Sequence, residues 1–287
     1  MFHPVASEMM MNWGKAAPVM MLIPSLALAQ AKTDRASPAA PLVIGETFTI
    51  QSATLSETRR INVYLPSGYA TSTNRLPVLY MPDGGMAEDF LHVAGLLQVS
   101  IGNETMRPFI LVGIENTERR RDLTGPTQNA EDKKIAPHVG GSAAFRQFLR
   151  DELMPVVNAR YRTTAETAIM GESLAGLFVV ETFFLEPDLF DTYIAFDPSV
   201  WWNDGALVKH PPARLSSNGR HKSLYLASSR DDRDGLTGHL ADVLRVNAAP
   251  GVSLYFEPML NETHATIYHP AAMLALRRLF KTAPAIR

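Results

Sequence analysis

Residues 167–180, TAIMGESLAGLFVV, set a serine between two glycines where a short apolar strand meets the start of an apolar helix. A serine that projects from a strand-to-helix turn needs a strained backbone, and side chains close by on either side would collide with the strand or the helix. Gly171 and Gly176 stand where those side chains would be. The same residues also suit a small-residue turn that packs a helix closely on a strand. By itself the stretch therefore leaves a packing turn and a nucleophile both open.

The remaining pattern supplies the frame for such a turn. Phe48 and Ile50 alternate with polar residues, as do Ile61, Val63 and Leu65, which predicts an antiparallel opening pair with one face on the core. The runs 76–81 and 109–114 are continuously apolar, as strands covered on both faces should be. Residues 87–99 read as a helix between them. Phe145, Phe148, Leu149, Leu153, Val156 and Val157 mark another helix, with Ser142 as its cap and Pro155 kinking it or ending it early. Beyond the serine, strands at 193–196, 223–227 and 252–256 alternate with helices at 237–248 and 270–280. Such alternation predicts an α/β domain over residues 43–287: a mostly parallel central sheet with an antiparallel N-terminal strand pair and helices on both faces. Its chemistry belongs in the loops at the carboxyl ends of the strands. Residues 115–140 form a polar connection of a length usually reserved for functional or mobile segments.

Composition removes several classes of function. The 287 residues carry a net charge of −2, which gives no support to nucleic-acid binding. The chain has no cysteine, so thiol nucleophiles and thiolate metal sites are excluded. No metal-ligand spacing is present, the nearest approach being His264 with His269, and no cofactor motif is read. Lys15, the proline-interrupted apolar run 16–28 and the small-x-small triplet Ala27-Leu28-Ala29 predict an export signal over residues 1–29, cleaved after Ala29. An Ala-, Pro-, Ser- and Thr-rich leader follows over 30–42, and a periplasmic or secreted location is implied. That first run is too short and too broken for a membrane span, and no later segment approaches that length.

A serine hydroxyl needs a base to take its proton and a third group to orient that base. With the order serine, acid, histidine, the base must follow the strand at 223–227 or precede it closely, which leaves His221, His239, His264 and His269. His264, in the loop after the last strand, is the best placed. His239 falls within a helix, and His269 beside Pro270 opens the final one. The acid is expected in the loop 228–234, where Asp231 ranks first, Asp232 second, and Asp234 remains open. For oxyanion donors, the backbone amide of Leu174 follows the serine, and Gly85 or Met86 lies in the Asp-Gly-Gly turn after residues 76–82.

Five segments together resemble a known family: LPVLYMPDGG at 76–85, ENTERRRDLT at 115–124, GGSAAFRQFLRDELMPVVNARYRTT at 140–164, DPSVWW at 197–202 and ETH at 262–264. They resemble the putative esterase family of α/β-hydrolases, close to the bacterial exported branch that includes periplasmic siderophore esterases. The resemblance spans residues 47–280. It implies the α/β-hydrolase fold, Ser173 as nucleophile, His264 as base and an acid near Asp231. The chain departs from the family pattern at Glu172, at Ala175 and across Ser228–Asp231.

The reading that follows is an exported serine esterase acting through an acyl-enzyme on a small or medium ester, with a siderophore lactone among the candidates. Acyl transfer from the same serine is the alternative within enzymes, and a non-catalytic binding protein on the same fold is the alternative outside them. Arg120 and Arg121, in the run 119–121, are candidates for holding an anionic or catecholate group, since guanidinium forks match planar oxygen anions. Trp201 and Trp202 are candidates for an aromatic wall, one of them facing inward because adjacent residues point in different directions.

Overall fold

In the computed structural model, residues 37–211, 221–247 and 251–282 are described, and the expected export signal lies outside them. Residues from Val43 onward form one compact unit. Eight strands build its sheet: β1 (Glu46–Ser52), β2 (Glu57–Tyr64), β3 (Leu76–Pro82), β4 (Ile110–Ile114), β5 (Thr163–Glu172), β6 (Thr192–Phe196), β7 (Lys222–Ser229) and β8 (Val252–Met259). Their order across the sheet is β1-β2-β4-β3-β5-β6-β7-β8. The first pair is antiparallel, β2 also runs antiparallel to β4, and every pairing from β4 to β8 is parallel. The α/β class and the antiparallel opening pair expected from the sequence are both present.

Period-two alternation within continuously apolar strands explains why helices cover both faces. Val78 and Tyr80 of β3, Ile169 of β5, Tyr193 and Ala195 of β6, and Leu224 and Leu226 of β7 enter one core. Their neighbours Leu79, Met81, Ala168, Met170, Ile194, Phe196, Tyr225 and Ala227 enter the other. A slip of one residue in any strand would exchange the two sets, so the pattern fixes the register. The first core is closed by α3 (Ser142–Phe148), α5 (Leu174–Leu185) and α7 (Leu236–Asn247). The second is closed by α1 (Phe90–Gly102) and α8 (Tyr268–Leu279). No described helix is long and apolar enough to cross a membrane.

Two local expectations are refined. Ser142 lies inside α3 and gives no side-chain cap, because the capping position is Gly141. Pro155 does not end the helix: residues 142–160 stay helical without a break, and the proline follows directly on a π-helical turn at Leu149–Leu153, at the start of the stretch α4 (Met154–Arg160). Such a wider turn locally interrupts the regular hydrogen-bond ladder, which is where a residue without an N–H is accommodated. The long polar connection is also partly ordered, with the short helix α2 (Arg119–Asp122) and a 3₁₀ turn at Asp132–Lys134. Arg59 of β2, fully buried, anchors that connection by donating to Asp122 (2.6 Å), the Thr117 hydroxyl (2.7 Å) and the Glu115 carbonyl (3.0 Å). The remaining helix, α6 (Trp202–Lys209), follows the loop after β6.

Candidate active site

Ser173 stands at the carboxyl end of β5, between that strand and α5, with φ 60° and ψ −119°. This backbone region is sparsely populated for a residue with a side chain and costs on the order of 1–3 kcal/mol. Close packing holds it there. A Cβ on Gly171 would sit 2.6 Å from the Ala175 Cβ, and one on Gly176 would sit 3.1 Å from the Phe196 carbonyl oxygen. Both glycines therefore allow α5 to lie directly against β5 and β6, as the sequence spacing anticipates. The Ser173 backbone also donates to the Phe196 carbonyl and accepts from the Ser199 amide, both at 3.0 Å.

His264, in the loop between β8 and α8, reaches this serine: its Nε2 lies 3.0 Å from Ser173 Oγ. Its Nδ1 lies 3.0 Å from Oδ2 of Asp197, at the end of β6. Asp197 is 6% exposed and also accepts from the Ser229 amide (2.6 Å) and the Ser229 hydroxyl (2.5 Å). Burial raises the carboxyl pKa, but the bonds from His264 and Ser229 outweigh it and hold Asp197 below the usual range. The Asp197 bond in turn raises the His264 pKa against the opposing effect of burial, with Glu172 adding to the rise.

The carboxylate that meets the imidazole is not the one expected. Asp231 does not meet the imidazole: its Oδ2 accepts the His264 backbone amide at 2.9 Å. Asp232 is turned onto Thr237, whose amide and hydroxyl donate to it within 3.2 Å at the start of α7. Asp234 is exposed in the intervening turn. The loop after β7 thus fixes the histidine backbone, and the carboxylate on the ring comes from one strand earlier. The sequence signal for Asp197 was its place directly after a buried strand, in the same DPSVWW segment quoted for its tryptophans.

Glu172, the residue before the serine, is a further member that spacing did not indicate. Its Oε1 lies 3.5 Å from His264 Nε2, on the side of the ring that also faces Ser173. Burial lifts its pKa to about 7, with Asp89 and Asp197 adding and His264 and Arg119 opposing.

Among the expected oxyanion donors, Leu174 opens α5, where the first amides lack intrahelical acceptors. β3 pairs with β5 so that Tyr80 faces Ile169, which brings the turn after β3 beside the serine turn. In that turn the Gly85 amide is already donated to Glu88 Oε2 at 2.7 Å, so it is not free for an oxyanion. Met86 is half exposed, and its amide meets no acceptor among the described residues.

The expected substrate groups separate in the same way. Arg121 is held by Asp122 (2.7 Å) and Glu57 (2.8 Å), and Arg119 grips both oxygens of Asp83 at 2.7 and 2.8 Å. Arg120 donates to the Ile135 carbonyl, pairs with no carboxylate among the described residues, and lines a 370 Å³ cleft with His138. Trp202 is buried, with its indole N–H on the Gly125 carbonyl at 2.8 Å, so it supports the wall instead of forming it. Trp201 lines a 240 Å³ cleft together with Ser173, Ser199, Arg233 and His264. A larger cleft of 460 Å³, beside Arg107 and Glu166, contains none of the Ser173, His264 and Asp197 groups. A hydroxyl, an imidazole and a buried carboxylate in one hydrogen-bonded line can pass a proton from serine to histidine while the carboxylate steadies the resulting cation.

Known proteins match this chain. The family model described as "Putative esterase" fits residues 52–249. Ferri-bacillibactin esterase BesA of Bacillus subtilis (strain 168) is 27% identical over 241 residues, covering 74% of this chain and 79% of that protein. A siderophore triacetylfusarinine C esterase of Aspergillus fumigatus is 31% identical over 160 residues, 50% of this chain and 51% of its own length. Among solved structures, an IroE-like serine hydrolase from Shewanella oneidensis has a TM-score of 0.71 at 28% identity, covering 82% of this chain and 80% of that one. From the fold, the hydrogen-bonded line at the strand ends and the extent of the family match, the chain belongs to the putative esterase family, ester hydrolases of the α/β-hydrolase fold.

Proposed function

We propose that the chain is an exported serine carboxylesterase that works through an acyl-enzyme, with Ser173 as nucleophile, His264 as base and Asp197 as the acid. The observation that carries this is the continuous line from Ser173 Oγ through His264 to Asp197, with 3.0 Å at each step. With Nδ1–H donated to Asp197, Nε2 is left to accept the serine proton. Ser173 Oγ then attacks the ester carbonyl carbon, and the carbonyl electron pair moves onto oxygen. The amides of Leu174 and Met86 are the donors assigned to that oxyanion. As the tetrahedral centre collapses, the bond to the alcohol oxygen breaks and the imidazolium returns its proton to that oxygen. Water repeats the sequence on the acyl-serine, giving the acid and free Ser173.

The esterases named above for bacillibactin and triacetylfusarinine C support a siderophore lactone as the substrate to test first. Trp201 in the serine cleft and the carboxylate-free Arg120 are the side chains assigned to substrate binding. Export rests on the signal-like residues 1–29. The test is a panel of p-nitrophenyl acetate, p-nitrophenyl butyrate and a catecholate trilactone, run on wild type and on Ser173→Ala with circular dichroism as the control for folding. The expected loss in kcat for Ser173→Ala is on the order of 10⁶-fold. Turnover retained by a folded Ser173→Ala variant overturns the assignment.

A further inference from the structure

The cleft beside Ser173 contains a cation that the ester chemistry does not use. Arg233 lies in the turn between β7 and α7, exposed, with its guanidinium carbon 5.0 Å from the centre of the Trp201 ring. Both residues line the 240 Å³ cleft that holds Ser173 and His264. Stacking on an aromatic face fixes a guanidinium in place while leaving its edge donors free for a planar oxygen anion.

None of the neighbouring carboxylates makes a direct ion pair with it. Asp231 and Asp232 line the same cleft, yet Asp231 is held by the His264 amide and Asp232 by the amide and hydroxyl of Thr237. Asp197 is occupied by His264 and Ser229. Arg233 forms no ion pair with any described residue, whereas Arg59, Arg119, Arg121 and Arg146 all do. A guanidinium laid on a ring, with no carboxylate on its edge donors, keeps those donors open to an anionic ligand.

We propose that Arg233, stacked on Trp201, selects esters that carry an anionic oxygen group on a planar ring next to the scissile bond. The ring lies against Trp201, the anion meets the guanidinium edge, and the ester carbonyl is delivered to Ser173. This deepens the esterase reading and rests on Ser173 being the nucleophile.

Two aryl acetates that differ only in charge provide the probe: 4-acetoxybenzoate, which is anionic, and its neutral methyl ester. The readout is the ratio of kcat/KM for the anionic over the neutral substrate in wild type, Arg233→Gln and Arg233→Lys, at low and high salt. The expected result is a fall in the ratio of at least tenfold in Arg233→Gln, carried by KM for the anion, with partial recovery in Arg233→Lys. Salt should lower the wild-type ratio and leave that of Arg233→Gln nearly flat. A ratio in Arg233→Gln within twofold of wild type overturns the proposal, whether or not both rates fall together. Ser173→Ala run beside them keeps the two readings apart: its retained turnover would remove the serine assignment, whatever the Arg233 ratio.

Discussion

Asp197 Oδ2 lies 3.0 Å from His264 Nδ1, although 67 residues separate the two in the chain. The contact joins the end of β6 to the loop after β8, across the intervening β7. At the end of β7, where the orienting carboxylate was expected, Ser229 instead donates its amide and hydroxyl to Asp197. Asp231, two residues on, holds the His264 backbone at 2.9 Å. Two carboxylates thus act on one histidine, one on its ring and one on its main chain.

The pH dependence of turnover follows from the charges around that ring. In the proposed reaction His264 must be neutral to accept the serine proton, and the Asp197 bond, helped by Glu172, raises its pKa above the ordinary 6.5. The acid limb of kcat/KM for a neutral ester should therefore have its midpoint above pH 6.5. Glu172→Gln removes a carboxyl group 3.5 Å from Nε2 that is partly ionised near pH 7, so the midpoint should move to lower pH. A pH profile of p-nitrophenyl acetate hydrolysis checks this, and a midpoint unmoved or raised in the variant contradicts it.

Glu172 should also make stability depend on pH. Burial lifts its pKa from 4.5 to about 7 in the folded chain. The folded protein keeps a proton that the unfolded chain has released, so the stability contributed is fully present below about pH 4.5 and lost as pH rises through about 7. Glu172→Gln should accordingly raise Tm more at pH 8 than at pH 5. Thermal denaturation at the two values is the measurement, and an equal change at both would show that the carboxylate does not titrate as described.

Most of the fold was legible because buried parallel strands write themselves as uninterrupted apolar runs, and because helices between them repeat at their own period. Ser173 was marked by its glycines and His264 by its place after the last strand, both local properties. Asp197 was marked only by its place after a buried strand, which does not give the destination of its carboxylate: that depends on backbone direction, and φ is 40° there, which swings the side chain toward a loop contributed by another strand. The three aspartates after β7 drew attention through their number, yet two of them satisfy amides. The arginine run 119–121 read as one basic patch, but a helical turn sends its members to Asp83, to the Ile135 carbonyl and to the Asp122–Glu57 pair.

The connection that carries those arginines should depend on one buried pair. Arg59 and Asp122 have side chains 0% and 1% exposed and lie 2.6 Å apart, so removing one partner strands a charge in the core. Asp122→Ala should cost about 3 kcal/mol, near the lower end for such pairs because Glu57 still contacts Arg59. Asp151→Ala breaks an ion pair whose side chains are 44% and 47% exposed and should cost no more than about 1 kcal/mol. Urea denaturation of both variants decides the matter, and equal losses would contradict the distinction drawn from burial.

The most direct test of the serine–histidine–aspartate line compares Asp197→Asn with Asp231→Asn in the same ester assay, each checked for folding. Asp197→Asn removes the acceptor that fixes the imidazole tautomer and should lower kcat by about 10⁴-fold. Asp231→Asn keeps an oxygen for the His264 amide and should stay within about tenfold of wild type. A collapse of activity in Asp231→Asn, with Asp197→Asn nearly unaffected, would contradict the account.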